Sequence, residues 1–245
     1  MNRSFPDNHL RNPSLPKGVR IYAVGDIHGR VDLLRDILAR IDHDKMKHPT
    51  DRSIEVYLGD YIDRGPQSRE VIQALVERKM NGEVVCLRGN HEALLEQFFE
   101  RPELFGPWRD LGGGETLLSY EVAAPIRPTR AGELTLAKAF LARFPPSHLT
   151  WLRELRDSFE LGDYYFVHAG VRPGIPLASQ SQHDLLWIRR EFLDWPEYFD
   201  KMIVHGHTPV EKPVFKHNRI NIDTGAYATG ELTCLILEED QRFLL

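Results

Sequence analysis

Short apolar runs alternate along the chain with longer stretches in which apolar residues return every third or fourth position. The short runs are rich in β-branched and aromatic residues, and six end in glycine: 21–25 (IYAVG), 54–59 (IEVYLG), 84–89 (VVCLRG), 164–170 (YYFVHAG), 202–206 (MIVHG) and 220–225 (INIDTG). Runs of this length without polar alternation fit buried strands. A seventh, 232–238 (LTCLILE), reads as a strand without chemistry. Between the first three lie VDLLRDILARI (31–41) and SREVIQALVERKM (68–80), both with helical spacing. This strand–helix alternation predicts an α/β fold with parallel strands at its start. The middle, roughly 91–160, is helix-rich: EALLEQFFER, GELTLAKAFLARF and SHLTWLRELR. No repeat or low-complexity tract divides the chain. Residues 1–18 read as a loose lead-in, and 19–245 as one domain carrying a helical middle segment.

The strand ends carry the chemistry. GDIHG (25–29) follows the first strand, GDYIDRG (59–65) the second, GNHE (89–92) the third, HAG (168–170) the fourth and HGHT (205–208) the fifth. Each puts an Asp, Asn or His at the carboxyl end of a strand, where open α/β sheets bind ligands. Five in succession point to one shared site. Aspartate, asparagine and neutral imidazole without thiolate suit borderline divalent metals such as manganese, iron, nickel or zinc. A single aspartate can bridge two ions, and such a pair activates water and clamps a phosphoryl group. Arg64, Arg88 and Arg189 stand beside these positions and have the fork that grips phosphate oxygens. Metals with arginines imply a phosphate ester.

Bulk properties narrow the partners. The 245 residues are 42% hydrophobic and carry a net charge of −5, which disfavours nucleic acid and anionic membranes. No apolar stretch approaches a membrane span and no secretory signal opens the chain. Cys86 and Cys234 lie inside strand-like runs, with no disulfide or zinc spacing, so a cytoplasmic location is expected.

GDIHG, GDYIDRG, LRGNHE, HAG and GHT, in this order, resemble the motifs of the metal-dependent phosphoprotein phosphatases, the serine/threonine branch of the calcineurin-like metallophosphoesterases. GGGETLLSY (112–120), LLWIRREFL (185–193) and IDTGAYATG (222–230) resemble its small bacterial members. The resemblance spans about residues 20–230. It implies a sandwich of two mixed β-sheets flanked by helices, with two divalent ions at one edge: manganese first, with iron, zinc or nickel as alternatives. By resemblance, Asp26, His28 and the bridging Asp60 hold one ion, and Asp60, Asn90, His168 and His207 the other. His91 is then the general acid, oriented by Asp63, and Arg64 and Arg189 bind phosphate together with Asn90 and His91. Arg88 either joins them or braces a ligand.

The implied reaction is in-line attack on phosphorus by water that the metals activate, with no phospho-enzyme. Serine/threonine phosphoproteins are the first substrate class, with phosphotyrosine a possible addition. The alternative is symmetrical hydrolysis of diadenosine tetraphosphate, or another small phosphorylated substrate. A catalytically silent phosphate-binding module is a third reading, disfavoured because every ligand and acid position is filled. In HGHTP, His207 fits the ligand position and His205 that of a strand-end support; Pro209 stands where the wider superfamily has a second histidine, which favours the phosphoprotein branch. LGGGE reads as a turn. His9, His43, His48, His148, His183 and His217 read as surface residues. Trp108, Trp151, Trp187 and Trp195 read as packing, with Trp187 near Arg189 and Tyr227 as a pocket wall. Glu92 reads as a support through backbone bonds.

Overall fold

The computed structural model describes residues 12–124 and 128–245, so His9 lies outside the described residues. β1 (Val19–Val24), α1 (Val31–Lys47), β2 (Arg52–Tyr57), α2 (Ser68–Met80) and β3 (Glu83–Cys86) form the predicted strand–helix series. Helices follow: α3 (Asn90–Glu100), α4 (Phe105–Trp108), α5 (Gly114–Ser119), α6 (Arg130–Arg143) and α7 (Pro146–Arg153). The second half holds β4 (Ser158–Leu161), β5 (Tyr164–Val167), α8 (Gln182–Trp187), α9 (Arg190–Leu193), β6 (Met202–His205), β7 (Val214–Phe215), β8 (Arg219–Asn221), α10 (Ala226–Thr229), β9 (Cys234–Glu238) and β10 (Gln241–Leu244).

The strands make two five-stranded sheets, in the orders β10-β9-β1-β2-β3 and β4-β5-β6-β8-β7. β1, β2 and β3 run parallel while β9 and β10 are antiparallel; β5, β6 and β8 run parallel while β4 and β7 are antiparallel. Both sheets are mixed, as expected. Strand side chains alternate between faces. Ile21, Ala23, Ile54 and Val56 therefore meet Phe166, Val204 and Ile220 between the sheets, while Tyr22, Val24 and Tyr57 face α1, α2 and the other helices. Tyr165, Val167 and Ile203 pack on Leu185, Ile188 and Phe192 on the far side. Because both faces of each sheet are covered, its strands read as unbroken apolar runs.

Three strands escaped the sequence pattern. β4, β7 and β10 lie at sheet edges and are mostly exposed or half-buried, so selection for a continuous apolar face is absent there. Residues 12–18, expected to be loose, are tied down: Ser14 donates its N–H to Asp163, Leu15 donates to the Glu239 carbonyl, and Tyr164 Oη–H bonds the Pro13 carbonyl. LGGGE (111–115), expected as a simple turn, instead spans a kinked wide turn (Arg109–Gly113) and the start of α5, joining α4 to α5. Gly112 allows it by adopting φ 107°. Among the described residues no helix is long and apolar enough to cross a membrane.

Candidate active site

The parallel strands of both sheets end at the same edge, and the side chains that follow them converge there. β1 delivers Asp26 and His28, β2 Asp60, Asp63 and Arg64, and β3 Asn90 and His91 at the start of α3. From the other sheet, β5 delivers His168 and β6 delivers His207. Asp26, His28, Asp60, Asn90, His91, His168 and His207 are all buried. The turns are sharp. Positive φ outside glycine is found at seven described positions, and five of them are His28 (46°), Asp60 (51°), Asp63 (70°), Arg64 (66°) and His207 (64°). Left-handed backbone at such residues costs about 1–3 kcal/mol each and persists where function requires a direction.

Asp60 lies at the centre. Its Oδ2 is 3.5 Å from His28 Nε2, and its Oδ1 is 3.4 Å from His168 Nε2. His168 Nε2 is also 2.9 Å from Asn90 Oδ1 and 3.2 Å from His207 Nδ1. Two atoms each about 2.1 Å from one ion and roughly 90–110° apart sit about 3.0–3.4 Å from each other, which is the spacing found here.

Protons do not join His28 or His168 to Asp60. His28 Nδ1 donates to the Ile62 carbonyl at 2.8 Å and His168 Nδ1 donates to the Leu58 carbonyl at 2.9 Å. Burial also keeps both rings neutral, His28 being pushed down to about 3 and His168 also down. Their Nε2 atoms are therefore bare acceptors, and each faces an oxygen of the Asp60 carboxylate. That arrangement fits cations. The two clusters, His28–Asp60–His91 and Asp60–His168–His207, share Asp60, whose two oxygens point to opposite sides.

Asp26 is buried close to Asp60 and His207. Its oxygens accept the His207 N–H at 3.1 and 3.3 Å, and a Cβ on Gly206 would lie 2.1 Å from Oδ1, so only glycine fits there. Burial first, then the charges of Asp223 and Asp60, raise the Asp26 carboxyl well above its ordinary value. Burial opposes charge on Asp60 as well, but His168, His91 and His28 hold it below the usual carboxylate range. Glu92 ties the turns together. It accepts N–H bonds from Asp60, Tyr61, Ile62 and Gly89, so β2 and α3 are fixed to each other.

His91 differs from the other histidines. Burial lowers it, yet the Asp60 charge and the 2.6 Å bond from Nδ1 to Asp63 Oδ2 outweigh that and push it up to about 9. Thus burial keeps His28 and His168 neutral, whereas Asp60 and Asp63 favour the charged form of His91. Arg64 Nη2 lies 3.4 Å from His91 Nε2, with its guanidinium 4.8 Å from the centre of the Tyr227 ring. Tyr227 is half-exposed and edge-on to His28 at 5.5 Å, which makes it a wall of the mouth. Arg189 Nη1 donates to Thr208 Oγ1 at 3.1 Å, next to His207. Trp187 is edge-on to His207 at 6.2 Å.

Two expectations are corrected. Arg88, expected either to bind phosphate or to brace a ligand, pairs instead with Glu96, has Asp157 3.6 Å from its Nε, and donates to the Leu155 carbonyl. His148 is not a surface residue: it is 1% exposed, bonded through Nδ1 to Tyr120 Oη and through Nε2 to Gln73. His43, His48, His183 and His217 are exposed. His205 packs edge-on to Phe192 at 4.9 Å, as a strand-end support would.

Sequence reasoning missed Asp223, Trp108 and Thr116. Asp223 is 2% exposed and adds the largest like charge on Asp26. It stood at the end of an apolar run, the same signal that marked the others. Trp108 Nε1–H donates to Asp63 Oδ2 at 2.9 Å, and Thr116 Oγ1–H to Asp63 Oδ1 at 2.5 Å. Nothing local in the sequence shows those contacts, since the partners lie 45 and 53 positions away.

Comparison with known proteins agrees with this geometry. A bis(5'-nucleosyl)-tetraphosphatase PrpE [asymmetrical] of Anoxybacillus flavithermus is 30% identical over 234 residues, covering 86% of this chain and 88% of that protein. The corresponding protein of Halalkalibacterium halodurans is 26% identical, covering 88% and 89%. A solved structure described as a putative diadenosine tetraphosphatase superposes with TM-score 0.61 at 18% identity, covering 94% of this chain and 98% of that one. That last likeness speaks for the fold alone. The pattern of one family, the calcineurin-like phosphoesterases, matches residues 19–228, which include every strand-end residue described above. The chain is a member of the calcineurin-like phosphoesterase family.

Proposed function

We propose that this metallophosphoesterase hydrolyses a dinucleoside tetraphosphate with the help of two divalent ions. The observation that carries the reading is Asp60, whose Oδ2 faces the bare His28 Nε2 and whose Oδ1 faces the bare His168 Nε2, at the junction of two side-chain clusters. Asp26, His28 and Asp60 would hold one ion, and Asp60, Asn90, His168 and His207 the other. When bound, such a pair lowers the pKa of water and neutralises phosphate charge.

The chain's own residues supply the rest. Arg64 and Arg189 grip the non-bridging phosphate oxygens and hold phosphorus in line for attack. Asn90 and His91 add contacts at the start of α3. His91 delivers the Nε2 proton to the departing oxygen, and Asp63 keeps the ring charged and aimed. Tyr227 limits the approach of bulk water on the His28 side. Manganese is the first choice of ion on donor type, and a reducing compartment suits the two buried thiols of Cys86 and Cys234.

For the substrate, the relatives' names support the small-molecule alternative over the serine/threonine phosphoprotein that the motifs first suggested. Those names also specify asymmetrical cleavage, where the sequence alternative was the symmetrical one. The test is product analysis. Protein loaded with manganese should convert diadenosine tetraphosphate to ATP and AMP. Two molecules of ADP would instead mean symmetrical attack. Turnover of phosphoserine peptides with no cleavage of the tetraphosphate would overturn the reading.

A further inference from the structure

The glycine-rich stretch read as a turn lies against the acid pair, and it has a role that no motif assigns. From Phe105 to Ser119 the chain runs through α4, the wide turn and α5, and both helices send a donor to the same carboxylate. Asp63 is fully buried and each of its oxygens is engaged. Oδ2 accepts from His91 Nδ1 and Trp108 Nε1, while Oδ1 accepts from Thr116 Oγ1. The Asp63 N–H donates to Ser68 Oγ at 3.0 Å and to Thr116 Oγ1 at 2.9 Å, so the hydroxyl braces backbone and side chain together.

The wide turn is moulded to these residues. A Cβ on Gly113 would lie 2.4 Å from Trp108 Cε2, and one on Gly112 would lie 2.6 Å from the Arg64 backbone nitrogen. Arg64 in turn donates its N–H to the Gly112 carbonyl at 3.3 Å. Phe98, with its ring 4.9 Å from that of Trp108, closes the other side of the indole. One segment therefore backs both the acid pair and a phosphate-binding arginine.

We propose that Trp108 and Thr116 are positioning residues for leaving-group protonation, acting through Asp63 on His91. The proposal rests on the reading of His91 as general acid. Trp108 Nε1–H and Thr116 Oγ1–H fix the plane of the Asp63 carboxylate, and its Oδ2, 2.6 Å from Nδ1, fixes the His91 ring. The ring then presents Nε2 to the departing oxygen. Without the indole and hydroxyl donors the carboxylate turns, the bond to Nδ1 lengthens and Nε2 loses its aim.

The experiment compares phenyl phosphate, a poor leaving group, with p-nitrophenyl phosphate, a good one, in manganese-loaded protein. Trp108→Phe keeps an aromatic ring and deletes the donor; Thr116→Val keeps the shape and deletes the hydroxyl; Thr116→Ser restores it. The first two should lower kcat on phenyl phosphate roughly tenfold more than on p-nitrophenyl phosphate, the scale of one bond to a charged group. KM and metal content should stay constant. Thr116→Ser should recover the loss, and the downfield proton resonance of the His91–Asp63 bond should weaken in the first two variants and return in the third. Equal losses on both substrates, or an unchanged resonance, would overturn the proposal while His91→Asn still shows leaving-group dependence. If His91→Asn shows none, the reading of His91 as the acid fails and this inference fails with it.

Discussion

Asp26 gives the sharpest thermodynamic test of the site. In the metal-free protein its buried carboxyl faces Asp223 and Asp60, and its pKa is raised. A carboxyl whose folded pKa lies above the unfolded one weakens the fold once pH exceeds both, so at neutral pH Asp26 opposes folding without metal. Asp26→Asn removes that charge and keeps an oxygen to accept the His207 N–H. It should therefore raise the melting temperature of chelator-treated protein. Metal reverses the order. An ion at one hundred times its Kd stabilises the folded state by about 2.7 kcal/mol per site. For a chain of this size each kcal/mol moves Tm by about 2–4 °C, so one site adds roughly 5–11 °C and two about twice that. Wild type should show the two-site rise when manganese replaces chelator, and Asp26→Asn no more than the one-site rise. Differential scanning calorimetry with both states of both proteins reads all four values. An equal metal-induced rise in the two proteins, or a lower chelated Tm for Asp26→Asn, would refute the placement of Asp26 at the first ion.

Three further outcomes are expected. His91→Asn should keep two metals, measured by mass spectrometry of the native protein, yet lose roughly 10²–10⁴-fold in turnover of phenyl phosphate and less on p-nitrophenyl phosphate. Arg64→Ala and Arg189→Ala should each lower kcat/KM by about 10²–10³-fold with metal content intact; Arg190→Ala, one position along at the start of α9, should not, and steady-state kinetics on p-nitrophenyl phosphate decides between the pair. His148 is held neutral by burial, pushed down to about 4, so the unfolded chain takes up its proton first as pH falls through about 6.5. Wild type should then lose stability about 1.4 kcal/mol per pH unit faster than His148→Gln between those values, checked by urea denaturation at a series of pH values.

Much of this site was readable because its parts sit at strand ends. GDIHG, GDYIDRG, GNHE, HAG and HGHT each follow an apolar run, and parallel strands carry such ends to one edge, so listing the runs brings the ligands together. The parallel strands followed from the same alternation, and the two-sheet sandwich from the family resemblance alone. What escaped depends on contacts between distant segments. Trp108 and Thr116 reach Asp63 only because the kinked turn brings α4 and α5 to the segment that follows β2, and a GGG sequence looks the same in a solvent-exposed loop. Arg88 misled for a related reason: its position beside GNHE is right for phosphate, but Glu96, two helical turns on, claims its charge. His148 stands in a polar-looking segment, and only the packing of α7 on α2 buries it. β4, β7 and β10, at the edges, lack the apolar continuity that betrays central strands.

The central claim is that Asp60 bridges two ions. Anomalous diffraction from crystals grown with manganese measures this without reference to activity. The account predicts two peaks about 3.5–4 Å apart, one on each side of the Asp60 carboxylate. One peak should lie against Asp26 and His28, the other against Asn90, His168 and His207. A single peak, or two peaks of which neither contacts Asp60, would contradict it.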